Sequence, residues 1–358
     1  MKELLKSYDY IILLSVFFLL GVSLVGIYSA SIDSPTFFKK QVVFVILSVF
    51  IILLFPFVPY RKVLNISPLL YIMVVISLIL VHFFGVKVLG AKRWLSLGFF
   101  NLQPSEFMKF VIIVYVSYLL SNAKIPISWK DVIKVLVVVA IPFALVFKQP
   151  DFGTALTILF PVLFILFMAQ LDKKYIIASV ITLIAAAPFI WKGMKDYQKK
   201  RILALFDPTS DAAYQLNQSK IAIGSGGLYG KGFLKGTQSK LLFLPEKHTD
   251  FIFATLAEEW GFFLSATLVL VYLILTLRIL YWGVKVKDKA GKFICFGVGG
   301  LIGSQAFINI AMTLGLAPVV GIPLPFISYG GSALITFSLL IGLVLSVIRE
   351  EKREKLKF

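Results

Sequence analysis

The residues that could do chemistry lie in four short segments of an otherwise apolar chain. The segments are 90–109, 148–154, 192–259 and 321–333, and each combines acidic, basic or hydroxyl side chains with glycine or proline. Carboxylates set among apolar residues suit proton transfer, because burial disfavours their charged form. Lysines and glycine N–H groups suit phosphate binding. The sequence therefore offers the parts of an acid–base site and of an anion site.

Asp250 is the carboxylate best placed for proton transfer. Phe251, Ile252 and Phe253 follow it and begin a long apolar run, so we expect its side chain to be partly desolvated and its pKa raised. A general base requires such a pKa. The simpler interpretation, which the sequence alone favours, is a helix N-cap. His248, two residues earlier, is interpreted as a positioning or hydrogen-bonding residue.

Glu106 and Lys109 are an acidic and a basic residue on one turn of a predicted helix. Pro104 starts that helix and Glu106 lies in its first turn, where a carboxylate is favourable. The i, i+3 spacing lets the two side chains pair. Two interpretations are open: a structural ion pair, or a pair that faces a polar cavity. Between 94 and 100, apolar residues alternate with small or polar ones, and Trp94 suits an interfacial segment at headgroup level.

Three other carboxylates have weaker signals. Asp151, followed by Thr154, is typical of a helix start, so capping is the better interpretation. Glu258 and Glu259 lie a turn or two beyond Asp250. One of the two is expected to line the cavity while the other caps or pairs.

The glycine-rich run 224–232 is the candidate anion site. It is not a Walker A loop, because Lys231 is followed by Gly232 rather than by Ser or Thr. Its N–H groups, with Lys231, Lys235 and Lys240, could still cradle a phosphate or pyrophosphate. A flexible surface loop is the alternative.

The run 321–333 contains too much proline and glycine for a regular helix. Its backbone must therefore be buried in protein or line a cavity if it lies at membrane depth. Ser328, Tyr329 and Ser332 offer hydroxyl groups there. The alternative is a tight turn that serves only packing.

The elements that must position these residues are membrane helices. The chain has 358 residues, of which 59% are hydrophobic and 15% charged, and its mean hydropathy is +0.92. A soluble domain has about 45–50% apolar and 25% charged residues, so a soluble globule, a disordered chain and a collagen-like fibre are excluded. We predict an all-α integral membrane protein with ten transmembrane helices. The expected spans lie at 10–28, 41–58, 66–84, 110–120, 135–147, 152–171, 175–191 and 251–282, with two more within 293–348.

The basic residues indicate the orientation of the chain. Lys and Arg number 36 against 18 Asp and Glu, a net charge of +18. In a soluble protein this would suggest nucleic acid, but here Lys and Arg concentrate in the short segments on one side, as expected of a cytoplasmic face. Both termini are then cytoplasmic, and a long extracytoplasmic loop, 192–250, joins helices 7 and 8. We expect residues 1–358 to form a single polytopic membrane domain.

Cysteine and histidine exclude two other classes of site. Cys295 is the single cysteine, so the chain can form no intrachain disulfide. The two histidines, His82 and His248, are too few for a zinc constellation.

The four segments, in this order, resemble the SEDS family of bacterial cell-shape, division and sporulation proteins. The resemblance covers nearly the whole chain and is closer to the elongation member than to the division member. It implies the ten-helix SEDS fold and a peptidoglycan glycosyltransferase that polymerises lipid II on the outer face of the bacterial inner membrane. It also implies a class B penicillin-binding protein as partner, within the membrane proteins of the elongation complex. The motifs are GAKRWL…QPSEFMK, QPDFGTAL, YQLNQSKIAIGSGGLYGKGFLKGTQ, FLPEKHTDFIFA…EEWG and GIPLPFISYGGSAL.

The resemblance also assigns roles to individual residues. Asp250 matches the essential catalytic aspartate of the family. Family members often carry a basic residue where this chain has Asn101, so a phosphate contact would pass to Arg93, Lys109 or the loop lysines. The other matched positions are the functionally important Trp94, Glu106 and Lys109, and the less defined Asp151, His248 and Glu258.

The expected reaction is an inverting glycosyl transfer. Asp250 takes the proton of the acceptor sugar's 4-hydroxyl, which attacks the donor's anomeric carbon and releases undecaprenyl pyrophosphate, so that a β-1,4 bond forms. Arg93 and Lys109 would stabilise the leaving group, and Mg²⁺ or Mn²⁺ could share that work, although the sequence shows no clear ligand cluster. The alternatives are a lipid II transporter, a division or sporulation member of the family, and a non-catalytic scaffold.

Overall fold

The computed structural model describes most of the chain. The described residues are 8–32, 34–88, 91–96, 98, 101–171, 174, 175, 177, 188, 191, 192, 194, 196–207, 209, 210, 213–241 and 243–355. Most of the expected span 175–191 lies outside them.

Seven of the described helices are long and apolar enough to cross a membrane. Their apolar side chains build one hydrophobic core, while other apolar residues face outward, as expected of helices in a lipid solvent. The seven helices are α1 (Tyr10–Ala30), α2 (Pro35–Leu54), α3 (Tyr60–Phe84), α4 (Pro104–Ser121), α10 (Ile252–Lys285), α11 (Lys289–Thr313) and α12 (Gly331–Lys355).

Two more apolar helices pack beside α4 and against each other. They are α5 (Trp129–Lys148), whose first turn and last residue are charged, and α6 (Phe152–Met168), which has 17 residues. Helix α4 takes Glu106 and Lys109 into its buried side, so the shorter uncharged run 110–120 is extended to a full span by these residues. The chain is a multi-pass membrane protein, and the count of ten spans stays a prediction.

The chain is mainly helical, but the all-α expectation is incomplete, because a small antiparallel sheet lies between α3 and α4. Its strands are β1 (Val86–Val88), β2 (Ala91–Ser96) and β3 (Asn101–Leu102), in the order β1-β2-β3. Trp94 pairs with Val86, and Leu95 pairs with Leu102. The alternation expected between 94 and 100 lies only partly in these strands, since 97, 99 and 100 fall outside the described residues.

Among the described residues between α6 and α10 there are three short helices, and the last leads toward α10. They are α7 (Asp196–Leu203), α8 (Tyr214–Gly226) and α9 (Thr237–Lys240). After α8, the chain runs beside the first turns of α10, with which α8 packs closely.

Helix α10 is broken at Gly261, whose φ of 69° and ψ of −161° are not helical. The preceding loop inserts its backbone at the break: Phe262 N donates to Gly227 O at 2.9 Å, and Gly232 N donates to Glu259 O at 2.9 Å. A Cβ added at Gly230 would lie 2.1 Å from Glu259 O, so the approach needs glycine. The loop thus supplies partners for the backbone groups that the broken helix leaves unpaired.

The segment between α11 and α12 is buried. Leu324, Phe326 and Ile327 are among the core residues. Side chains from two helices donate hydrogen bonds to its backbone. Ser23 Oγ of α1 donates to Ile327 O at 2.8 Å, and Gln305 Nε2 of α11 donates to Pro323 O at 2.8 Å. We therefore describe 314–330 as a re-entrant segment rather than a surface loop.

The opposite end of the bundle is closed by Asp9, just before α1. Its Oδ1 accepts hydrogen bonds from Ile11 N at 3.1 Å and Ile12 N at 3.2 Å. Its Oδ2 accepts from Trp282 Nε1 at 2.6 Å and Arg278 Nε at 2.8 Å. Asp9 thereby ties the start of α1 to the end of α10.

Candidate active site

Asp250 lies at the end of the bundle that holds the sheet and the re-entrant segment. Helix α10 begins at Ile252 after Phe251, and no described residue donates a hydrogen bond to the Asp250 carboxylate. The N-cap interpretation of Asp250 is therefore wrong. The carboxylate faces Gly321 instead, where an added Cβ would lie 3.3 Å from Asp250 Oδ2.

The electrostatic surroundings of Asp250 make it a weak acid. Burial raises the pKa of its carboxyl to about 7, helped by the negative charges of Glu246 and Asp151 and opposed by Arg201 and Arg93. The residue keeps a partly exposed surface, so a ligand can reach it. A carboxyl group with a pKa near neutrality can accept a proton and later release it.

Asp151 joins the start of α6 to strand β2. Its Oδ1 accepts from Thr154 N at 3.2 Å, so the capping interpretation is confirmed. Its Oδ2 lies 3.7 Å from Arg93 Nε and accepts from Gln103 Nε2 at 3.4 Å. Arg93 is bound further by the carbonyl of Pro150. Arg93 and Asp151 thus share one polar cluster beside Asp250.

Glu106 and Lys109 form a buried ion pair inside the bundle. Lys109 Nζ lies 2.8 Å from Glu106 Oε1 and 3.4 Å from Gln305 Oε1 on α11. Glu106 Oε2 has no hydrogen-bond partner among the described residues. The predicted pairing is confirmed, and Gln305 connects the pair to the re-entrant segment through Pro323.

Glu258 is bound to the loop before α10 rather than to Asp250. Its Oε1 accepts from Thr237 N at 2.7 Å, from Lys231 Nζ at 2.8 Å and from Gln238 N at 3.0 Å. Lys231 is therefore engaged by a carboxylate instead of presented to a phosphate. Glu259 is also engaged, because it accepts from the hydroxyl of Ser29 on α1.

His248 is placed by ring packing, and Trp94 is placed by strand pairing. The His248 ring lies 4.7 Å from that of Phe37 and 5.9 Å from that of Tyr329, measured between centroids. Burial lowers the pKa of His248, with Glu246 opposing the shift, so its imidazole is expected to be neutral at pH 7. Trp94 is half-buried in β2, two positions before Ser96.

Sequence reasoning did not single out several residues that surround Asp250. Arg201 on α7 lowers the pKa of Asp250, and Glu246 raises it. The side-chain amides of Asn309 and Gln305 donate hydrogen bonds to nearby backbone carbonyls. The only signal was the i, i+4 spacing of two amide residues, Gln305 and Asn309, on an otherwise apolar helix. Within the described ranges, no three His, Cys, Asp or Glu side chains are grouped so that they could hold a metal ion.

The fold and the site define a multi-pass membrane protein with a half-buried acid at one end of its bundle, and comparison with known proteins gives its family. The profile of the FtsW/RodA/SpoVE family, described as "Cell cycle protein", matches residues 3–353. The chain belongs to this family. It is 39% identical over 348 residues to the peptidoglycan glycosyltransferase MrdB of Escherichia coli K12, a match that covers 96% of this chain and 94% of the relative.

Two solved structures have the same fold. A chain from work on "Structural coordination of polymerization and crosslinking by a peptidoglycan synthase complex" superposes with a TM-score of 0.84 at 28% identity, covering 96% of this chain and 98% of that one. The rod shape determining protein RodA of Thermus thermophilus gives a TM-score of 0.73 at 26% identity, covering 96% and 97%.

Proposed function

We propose that this chain is a peptidoglycan glycosyltransferase that polymerises lipid II into β-1,4 glycan strands during cell elongation, with Asp250 as its general base. The observation that carries the proposal is the Asp250 carboxyl, which lacks a hydrogen-bond donor among the described residues and has a pKa raised to about 7. The activity of the relatives supports it.

The chemistry needs one proton acceptor and one leaving group. Asp250 takes the proton from the acceptor sugar's 4-hydroxyl as that oxygen attacks the donor's anomeric carbon. The bond to undecaprenyl pyrophosphate breaks on the opposite face, so the α-linked donor gives a β product. A carboxyl with a pKa near the working pH is poised for this transfer.

Positive charge beside Asp250 suits the leaving pyrophosphate. Arg93 and Arg201 both act on the carboxylate through space, from β2 and from α7. Fixed cations of this kind stabilise charge that develops in a transition state. We assign substrate binding to Arg93, Trp94, Glu106, Lys109, Asp151 and His248, and we assign Glu258 to the loop that shapes the same site.

The membrane arrangement follows from the same proposal. We propose ten spans, counting 175–191, in a single domain of residues 1–358. Both termini lie in the cytoplasm, and the loop 192–250 lies outside the bacterial inner membrane. A class B penicillin-binding protein of the elongation complex is the proposed partner, because the chain resembles one from a complex that coordinates polymerisation and crosslinking.

A lipid II transporter is the second candidate, and the broken helix α10 with the re-entrant segment favours it, since transporters place substrates at such breaks. Purified protein in liposomes with labelled lipid II separates the two. We expect glycan chains from the parent protein and from the control Asp207→Asn, whose carboxylate bonds Thr209 in an exposed turn. Asp250→Asn should form glycan chains about 10²–10⁴-fold more slowly. If the parent protein flips lipid II without polymerising it, the proposed glycosyltransferase activity is contradicted.

A further inference from the structure

The backbone just before α10 is held at three consecutive carbonyl groups. His248 O accepts from Tyr329 N at 2.9 Å, and Thr249 O accepts from Ser328 Oγ at 2.6 Å. Asp250 O accepts from Asn309 Nδ2 at 2.8 Å. Two of the donors, Ser328 and Tyr329, belong to the re-entrant segment, whereas the donor to Asp250 itself comes from the last turns of α11.

Asn309 binds both walls of the site with one amide group. Its Nδ2 also donates to Ile322 O at 2.7 Å, and Ile322 follows Gly321, the residue that the Asp250 carboxylate faces. The Asn309 side chain is 0% exposed, so water does not compete for these bonds. The start of α10 and the re-entrant segment are therefore fixed to each other at the level of Asp250.

The chemistry of the amide explains why this residue is present. Two backbone carbonyls face each other and need two N–H donors, which a single amide NH₂ supplies. The cost is visible in Asn309 Oδ1, which is buried without a hydrogen-bond partner among the described residues. An apolar residue would remove that cost but leave two carbonyls unpaired. One turn earlier, Gln305 repeats the pattern by donating to Pro323 O.

We propose that Asn309 is a positioning residue for Asp250, which it holds against Gly321 by binding the carbonyls of Asp250 and Ile322 together. The inference rests on the proposed role of Asp250 as general base. Without the amide, the peptide that carries Asp250 is free to turn, and the carboxylate moves from the acceptor hydroxyl toward solvent. Small displacements of this kind cost about 10²-fold in rate.

The charged groups round Asp250 set the pH response. Asp151 faces it from the start of α6, Arg93 from β2 and Arg201 from α7, and Glu246 belongs to its own loop. A carboxylate that moves toward solvent loses desolvation, the largest cause of its raised pKa. The acid limb of the pH–rate profile should then move to lower pH. A residue with only a packing role has no reason to move it.

The test compares Asn309→Leu and Asn309→Ser with Ser219→Ala in purified protein polymerising lipid II. Ser219 on α8 is a matched control, because its buried hydroxyl donates at 2.8 Å to the carbonyl of Thr313, the last residue of the helix that carries Asn309. We expect Asn309→Leu to lower kcat about 10–100-fold at nearly unchanged KM, and to shift the acid limb downward. Asn309→Ser keeps one donor and should lose less, while Ser219→Ala keeps the parent kcat and profile.

Each result decides the proposal. A folded Asn309→Leu or Asn309→Ser protein with the parent kcat and acid limb overturns it, as does an equal loss in Ser219→Ala. If Asn309→Leu does not fold, the kcat and acid limb of Asn309→Ser decide. The proposed function fails separately, if an Asp250→Asn protein polymerises lipid II at the parent rate. If Asp250→Asn loses activity while the Asn309 variants keep the parent kcat and acid limb, only the positioning role is overturned.

Discussion

Asp9 and Asp250 lie at opposite ends of the bundle, and each comes just before an apolar helix. The contacts of α1 show the separation, since Asp9 at its start meets Trp282 near the end of α10, whereas Ser29 at its other end meets Glu259 near the start of α10. Burial would raise the pKa of Asp9, but hydrogen bonds from Arg278 and Trp282 outweigh it and lower the pKa. Asp250 has a pKa raised to about 7.

The difference shows that hydrogen-bond donors to the carboxylate, rather than burial or sequence position, distinguish a structural carboxylate from a reactive one. Asp9 is satisfied by a helix N-terminus, an indole and a guanidinium, so it gains nothing by taking a proton. The Asp250 carboxylate faces Gly321, and it interacts with Arg93 and Arg201 through long-range electrostatics rather than through hydrogen bonds. The following changes test this comparison.

The largest expected effect is on catalysis. Asp250→Asn should lower the polymerisation rate by about 10²–10⁴-fold, the usual contribution of a general base, while Asp9→Asn stays within about threefold. The rates are measured with lipid II at saturation in one membrane mimetic. Equal losses in the two variants would mean that both carboxylates act through the fold.

The buried ion pair of Glu106 and Lys109, in the first turns of α4, should respond differently. Glu106→Gln leaves Lys109 buried without its partner and should cost about 3–5 kcal/mol in unfolding free energy. The double variant Glu106→Gln, Lys109→Met should recover much of that stability without recovering activity. Denaturation monitored by tryptophan fluorescence measures the stability of both variants, and lipid II polymerisation measures their activity. Recovery of activity in the double variant would show that the pair serves only the fold.

The two aspartates should also change stability in opposite directions. Asp9→Asn loses bonds that the ionised form accepts, so at pH 7 it should be less stable by about 1–3 kcal/mol. Because the folded pKa of Asp9 is lowered, that difference disappears as the pH falls through it.

Asp250 has the reverse sign. Its folded pKa of about 7 lies above the unfolded value of about 3.9, so the stability it provides is full below pH 4 and is lost as the pH rises through 7. Asp250→Asn should therefore raise Tm at pH 8 and leave it nearly unchanged at pH 4. If Asp250→Asn has a lower Tm than the parent at pH 8, the carboxylate is not unpaired in the folded protein.

The smallest effect concerns the loop that lies beside the reactive end. Lys231→Met removes one of the donors to Glu258 and should cost about 1 kcal/mol, because Thr237 and Gln238 remain bound. Limited proteolysis should cut faster between 231 and 240. Lys235→Met is the control, since this exposed lysine lies in the same loop and makes no contact with Glu258. Equal cutting of both variants would argue against the contact.

Much of this could be predicted where neighbours in sequence are neighbours in space. Hydropathy places seven spans, spacing pairs Glu106 with Lys109, and the Asp151 side chain caps α6 as its sequence indicates. Asp250 has the same local signature as a cap, yet its environment is set by α6, α7, β2 and the re-entrant segment. No local pattern distinguishes those cases. The same limit applies to Asn309, whose two acceptors lie 59 and 13 residues away along the chain.

The break in α10 also bears on how the protein meets a bilayer. An unbroken helix of 34 residues would be about 51 Å long at 1.5 Å per residue, well beyond a hydrocarbon core of about 30 Å. With the break at Gly261, the part from Phe262 to Lys285 measures about 36 Å and can tilt to match the lipid. The part before Gly261, which follows directly after Asp250 and Phe251, is buried from Ile252 to Glu259 and bonded to the loop. Changes in bilayer thickness are therefore absorbed below the break, and the reactive end keeps its geometry.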